Sequence, residues 1–71
     1  MSHILYIPAT LSAHARERLQ GIDAALVDRV GDDPATREAE ALRIRDSLNG
    51  RDGSMFYFLG LYARLVKGES Q

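Results

Sequence analysis

Apolar residues recur at helical spacing between residues 11 and 30 of this chain. They follow one another every three or four positions and are Leu11, Ala15, Leu19, Ile22, Leu26 and Val30. At about 100° per residue they fall within one sector about 100° wide, which predicts a helix with a single buried face. Thr10 or Ser12 is a suitable N-cap for this helix. The predicted solvated side consists of Arg16, Glu17, Gln20, Asp23 and Asp28.

Residues 31–34 separate this helix from a second one. Gly31 suits the left-handed backbone that often closes a helix, Asp33 is a suitable N-cap, and Pro34 fits the first helical turn. The second helix is predicted over residues 34–48. Its apolar residues form two stripes on nearly opposite sides, Ala35, Ala39 and Leu42 on one and Ala41, Ile44 and Leu48 on the other. This pattern predicts either neighbours on both sides or a weakly amphipathic helix at an edge.

The most apolar stretch is residues 55–67, which hold four of the five aromatic residues. Read as a helix over about 54–67, its apolar side chains cover an arc roughly 220° wide, about twice the stripe of an ordinary surface helix. Ser54 is a suitable N-cap and Gly68 a suitable residue after the last turn. The short connection at residues 49–53 predicts that the last two helices form an αα-hairpin.

The run at residues 3–7, closed by Pro8, predicts an extended segment or strand. Its backbone could pair with the same strand of a second protomer or with residues 55–59, or the segment could lie in a hydrophobic groove. The predicted fold is therefore mainly α, with an N-terminal extended segment and three helices at about 11–30, 34–48 and 54–67. The alternative is an α+β fold with strands near 3–7 and 55–60, because the aromatic residues 56–58 also favour strands.

The composition limits the kinds of interaction that can stabilise such a chain. Its 71 residues are enough for one small domain, residues 1–71, with a marginal core. The absence of cysteine excludes disulfides and thiolate metal sites and fits a reducing cytoplasm, where we predict the protein to be. Two histidines are too few to predict a structural zinc site, and no cofactor is expected. Self-association remains as the expected additional support. The arginine-rich, lysine-poor composition indicates a bacterial or phage genome.

Charge and length argue against two classes of partner. The formal net charge of −1 gives no overall attraction to nucleic acid. Arg37, Arg43 and Arg45 of the second helix point in three directions and form no basic stripe. Residues 55–67 are too short to span a bilayer, which takes about 20 apolar residues, and no signal peptide is predicted at the N-terminus.

No arrangement of residues predicts catalysis. His14 and Glu17 are three residues apart on the first helix, but His14 lies outside the apolar stripe and is expected to be solvated. His3 has no acid or nucleophile nearby in sequence. The segment 50–53 has neither the spacing nor the Lys-Ser/Thr pair of a phosphate-binding loop. We therefore predict that the protein is not an enzyme.

The surplus of apolar and aromatic surface is the main indication of function. Aromatic residues and arginine are enriched in interface hot spots, although Tyr57 and Tyr62 could instead border the core with solvated hydroxyls. The predicted dimer or partner interface consists of Phe56, Tyr57, Phe58, Leu61, Tyr62, Arg64 and Leu65. We expect a homodimer that regulates or inhibits a larger protein partner by surface binding. The alternative is a small dimeric DNA-binding regulator.

Overall fold

Three α-helices account for most of the computed structural model, which describes residues 5–69 of the chain. They are α1, Ala13–Val30, α2, Pro34–Ser47, and α3, Gly53–Glu69. The prediction of a mainly α fold is confirmed, and each helix begins and ends within two residues of its predicted bounds. The predicted alternative with a strand near 55–60 is wrong, because those residues lie inside α3.

The ends of α1 and α2 use the residues that the sequence indicates. The Ser12 hydroxyl accepts a hydrogen bond from the Ala15 N–H at 3.1 Å and caps α1. Gly31 follows the helix with a φ of 88°, and its N–H donates to the Val27 carbonyl at 2.9 Å. The Asp33 carboxylate accepts from the backbone N–H and the hydroxyl of Thr36, at 3.0 and 2.9 Å. These bonds satisfy backbone donors that an α-helix leaves unpaired at its start.

The start of α3 differs from the prediction. Asp52, and not Ser54, provides the capping contacts, since its carboxylate accepts from the Met55 N–H at 3.1 Å and its carbonyl from the Phe56 N–H at 3.0 Å. Asp52 has a φ of 51°, a left-handed conformation that aspartate tolerates better than most residues. Because this cap starts the helix at Gly53, Ser54 lies inside the first turn. The helix also continues through Gly68, the residue expected to follow it.

The N-terminal segment differs from the strand predicted over residues 3–7. Residues 3 and 4 lie outside the described part of the chain, and residues 5–7 are not in a strand. Leu5 and Ile7 are buried in the hydrophobic core instead, while Tyr6 between them is exposed. The apolar side chains therefore pack against the helices directly, which is the groove arrangement among those that the sequence left open.

The core lies where α1, α2 and α3 meet. α3 makes its most extensive helix contact with α2. Five side chains of α3 are buried on one side of the helix: Phe58, Leu59, Tyr62, Ala63 and Val66. They pack with Leu19 and Leu26 of α1 and Ala41 of α2. These buried side chains form one part of the wide apolar arc, and the remaining part of the arc faces outward.

Glu40 of α2 pairs with Arg29 of α1 and with Arg43 of its own helix. Its carboxylate accepts from Arg29 Nη2 at 3.0 Å and from Arg43 Nε and Nη2 at 2.8 and 2.7 Å. The hydrogen bonds from Arg43 are the largest cause of the lowered pKa of Glu40, which falls from 4.5 to about 2. The pKa of Asp33 is also lowered, mainly by the Thr36 N–H.

These lowered pKa values predict a loss of stability in acid. A carboxyl group whose pKa is lower in the folded state stabilises that state above its unfolded pKa, and the contribution disappears as the pH falls through the folded value. The Glu40 contribution should therefore be present at pH 7 and lost between about pH 4.5 and 2. Urea unfolding at a series of pH values should show a smaller acid-induced fall for Glu40→Gln than for the wild type. Glu17→Gln, an exposed acid of α1, is the control and should follow the wild-type curve; identical pH curves for all three proteins would contradict the assignment.

Candidate functional site

A polar network inside the core joins one residue from each helix. Asp23 of α1 accepts hydrogen bonds through the same carboxylate oxygen, Oδ1, from Arg37 Nη1 of α2 at 2.9 Å and from the Tyr62 hydroxyl of α3 at 2.5 Å. Arg37 Nη1 also lies 3.1 Å from the Tyr62 hydroxyl oxygen, and Arg37 Nε donates to the Asp32 carbonyl at 3.1 Å. We call Asp23, Arg37 and Tyr62 the buried network.

The surroundings of the buried network suit a structural role. Arg37 and Tyr62 have no exposed surface, and Asp23 is buried. Burial, followed by the hydrogen bond to Asp23, raises the pKa of the Tyr62 hydroxyl well above its usual range, so the group stays protonated and donates. Because its polar groups bond to one another and have almost no access to solvent, the network holds the three helices together and presents no reactive group.

The sequence predicts Asp23 on the solvated side of α1, and this prediction is wrong. At 100° per residue, Asp23 lies only about 20° beyond the edge of the apolar stripe, next to Val30. Arg37 lies within the stripe formed by Ala41, Ile44 and Leu48, which the structure turns inward at Ala41. A charged residue at the edge of the apolar stripe of α1, and one of opposite sign inside a stripe of α2, were the signal that could have indicated a buried pair.

The predicted interface residues divide between the core and the surface. Phe58 and Tyr62 are buried inside the protomer, and the Tyr62 hydroxyl is bonded within the core and not solvated. Tyr57 and Phe56, by contrast, are 60% and 43% exposed. The other three, Leu61, Arg64 and Leu65, are half-buried or exposed on the same side of α3. Five of the seven predicted residues are therefore accessible to another molecule.

Two shallow grooves run along this side of α3. One has a volume of about 230 Å³ and is lined by Arg45, Phe56, Tyr57, Gly60, Leu61 and Arg64. The other has a volume of about 310 Å³ and is lined by Tyr6, Arg64, Leu65 and Gly68. Arg64 belongs to both grooves, so they form one continuous surface. We call the residues that line them the exposed α3 surface.

Two members of this surface come from outside α3 and were not predicted. Tyr6 is 71% exposed and comes from the N-terminal segment, whose alternation turns Leu5 and Ile7 inward. Arg45 of α2 lies with its guanidinium carbon 5.3 Å from the centre of the Phe56 ring, a cation–π arrangement. A Cβ at Gly60 would be 3.7 Å from Arg45 Nη1, so the arginine passes close over the helix at this position. Contacts between elements place both residues here, and they are not visible in the pattern of either segment alone.

A second set of ring contacts surrounds Phe58 at the edge of the core. The rings of His14 and Tyr57 approach it edge-on, with centroids at 6.1 and 5.1 Å, and the Arg18 guanidinium carbon lies 5.6 Å from its centroid. His14 is exposed, as its position outside the apolar stripe predicts. These contacts cover the Phe58 ring, and they show why it is not part of the exposed α3 surface.

Comparison with known proteins gives no further guide to this site. No family model matches the chain, and no curated protein or solved structure is significantly similar to it. Within residues 5–69, His, Asp and Glu side chains do not gather in a group that could hold a metal ion. None of the described helices combines the length and apolar character needed to cross a membrane.

Proposed function

We propose that this protein is a non-enzymatic interaction protein that regulates or inhibits a larger macromolecular partner through the exposed α3 surface. The observation that carries the proposal is the exposure of Tyr57 and Phe56 beside Arg64 and Leu61 in the folded protomer. Aromatic residues and arginine contribute most often to interface hot spots, and contiguous apolar patches on soluble proteins commonly mark interaction sites.

The same surface supports a homodimer with α3 at its centre. A chain of this size has a marginal core, and a second copy would cover apolar side chains that the protomer leaves exposed. In this proposal α2 and α3 act as one αα-hairpin, because their connection is short and their contact is the most extensive. Pairing of residues 3–7 between protomers is not needed, since Leu5 and Ile7 already pack in the core. The lack of cysteine is consistent with a cytoplasmic location.

Self-association is tested by placing a charge on the exposed α3 surface. Tyr57→Asp should keep its fold, because the side chain is 60% exposed. It should raise the dimer dissociation constant by about thirtyfold or more, the loss expected of a hot-spot residue. Light scattering over a concentration series measures this change. Ala25→Asp introduces the same charge on an exposed position of α1 and should leave the dissociation constant unchanged.

Two outcomes would count against the dimer. A wild-type mass of one chain at every concentration tested would remove the homodimer from the proposal and leave the larger partner. If Tyr57→Asp and Ala25→Asp weakened dimerisation equally, the dimer contact would not be centred on α3.

The alternative of a duplex-DNA regulator has less support from the geometry. Arg37 is buried, Arg43 is paired with Glu40, and Arg45 lies against Phe56. Arg37 and Arg43 are thus engaged within the protomer, and Arg45 stands apart from them on the exposed α3 surface, so α2 has no continuous basic face for a phosphate backbone. Salt-dependent binding of duplex DNA at micromolar protein would nevertheless favour this alternative over the interaction protein.

A further inference from the structure

Arg64 is the central charge of the exposed α3 surface. It lines both grooves and is exposed, and it makes no hydrogen bond or ion pair with any residue that the structure describes. Apolar and aromatic side chains flank it, with Tyr57 and Leu61 on one side and Leu65 on the other. A guanidinium group in such surroundings offers several donors to a ligand, arranged in a fork that matches a carboxylate.

The second charge of the surface has the same sign. Arg45 lies over the Phe56 ring, and its only carboxylate contact among those described is with the neighbouring Asp46, at 3.2 Å, where the Asp46 side chain is 70% exposed. Among the described side chains, none of those that line either groove is acidic. The described surface therefore combines two arginines with apolar side chains and supplies no negative charge opposite them.

From this combination we infer that the macromolecular partner presents an acidic segment, in which one or more carboxylates stand next to aromatic or aliphatic side chains. The carboxylates pair with Arg64 and Arg45, while the apolar side chains fill the grooves between Phe56 and Leu65. The inference rests on the proposed function and specifies the chemistry of the partner.

A second copy of the chain fits this surface less well than an acidic partner. In a symmetric dimer both copies contribute the same face. Among the described side chains, such a contact adds second copies of Arg45 and Arg64 and no acid that lines a groove. Unpaired like charges lower the affinity of that contact, so a segment that carries carboxylates should displace the second copy.

Single-stranded nucleic acid also binds to arginine and aromatic side chains. The surface does expose aromatic rings, but Arg45 already lies over the Phe56 ring, and Leu61 and Leu65 add aliphatic contacts that suit a protein segment better than a row of bases. The net charge of −1 also provides no long-range attraction for a polyanion.

Selection from a library of random linear peptides displayed on phage tests the inference. The full-length protein is the target, and an unrelated helical protein of similar size is the background. We expect the enriched peptides to contain Asp or Glu beside aromatic or aliphatic residues. Their affinities are then measured by fluorescence anisotropy with synthetic labelled peptides.

Reversal of the charge at Arg64 tests whether this residue binds the carboxylates of the peptides. Arg64→Glu should weaken binding of the enriched peptides by about tenfold to a hundredfold, the range for loss of a charge-assisted hydrogen bond. Arg64→Gln, which removes the charge without reversing it, should weaken binding less. Arg51→Glu makes the same charge change outside both grooves and should bind like the wild type. Circular dichroism melting checks that all three variants fold.

Other outcomes would contradict either the acidic partner or the proposed function. Enriched peptides without acids, or peptides that bind Arg64→Glu as tightly as the wild type, would overturn the acidic partner and leave the proposed function standing. No enrichment above the background protein would count against the proposed function itself. Arg64-dependent binding of an oligo(dT) strand in place of peptides would assign the surface to nucleic acid. A stable dimer that the peptides do not dissociate would assign it to a second copy.

Discussion

Asp23→Ala is expected to lower the free energy of unfolding by about 3–5 kcal/mol, which is the usual effect of removing one partner from a buried ion pair. The variant leaves the Arg37 guanidinium fully buried without its carboxylate, and the Tyr62 hydroxyl loses the acceptor of its hydrogen bond. A domain of this size has roughly 4–10 kcal/mol of stability in total. Urea unfolding followed by circular dichroism should therefore find the midpoint of the variant at a much lower urea concentration than that of the wild type, and the variant largely unfolded without denaturant if the wild type lies at the low end of this range.

Two further variants distinguish the stability lost with a polar partner from the stability lost with side-chain packing. Tyr62→Phe keeps the ring and removes only the hydroxyl, so it should cost about 1–2 kcal/mol. The double variant Asp23→Leu with Arg37→Met replaces the ion pair by apolar side chains, and it should be clearly more stable than Asp23→Ala, because no buried charge remains unpaired. If Asp23→Ala unfolds at the wild-type urea concentration, the pair is not buried and the central contact of the fold is different.

The neighbouring residues Phe58 and Tyr57 are expected to respond in opposite ways to the same substitution. Phe58 is 8% exposed and packs in the core, so Phe58→Ala should lower the free energy of unfolding by about 3–5 kcal/mol. Tyr57 is exposed in the protomer, and at protein concentrations below the dimer dissociation constant Tyr57→Ala should cost no more than about 1 kcal/mol, the worth of its edge-on contact with Phe58. The same unfolding experiment measures both.

This pair of variants tests which side of α3 faces the core. Since the two positions are about 100° apart on the helix, a rotation of α3 that buried Tyr57 would reverse the order of the two effects. Equal destabilisation by both variants would indicate that a second copy or another partner already covers Tyr57 in the purified protein. Unfolding at low and at high protein concentration identifies a second copy, because only a dimer becomes more stable as its concentration rises.

Local signals in the sequence were sufficient to locate the three helices. Ser12, Asp33 and Pro34 act within one turn of the helices that they begin, and Gly31 ends α1 through its own backbone. Such features depend only on the neighbouring few residues, so they are readable from one chain. The start of α3 was misplaced because both Asp52 and Ser54 are capping residues, and only the backbone conformation at Asp52 decides between them.

Contacts between residues that are distant in the chain were harder to predict from the sequence. Asp23 and Arg37 are 14 residues apart, and Asp23 and Tyr62 are 39 apart. No periodicity relates side chains on different helices, since their contact depends on how each helix is rotated and packed. Position on the helical wheel could have drawn attention to Asp23 and Arg37, but it could not have paired them with the Tyr62 hydroxyl.

The sequence by itself determined that this protein has three helices, with bounds within two residues of those observed, and that α3 carries more apolar surface than an ordinary helix buries. Only the tertiary structure decided how much of that surface the protomer buries: Phe58 and Tyr62, near the middle of the arc, face inward, whereas Phe56 at its edge remains 43% exposed. The physical reason is that an apolar arc roughly 220° wide is broader than the face that the other elements cover, and periodicity does not say which of its edges is left uncovered. Packing against α1 and α2, with the buried network at its centre, selects one rotation and thereby creates the exposed α3 surface.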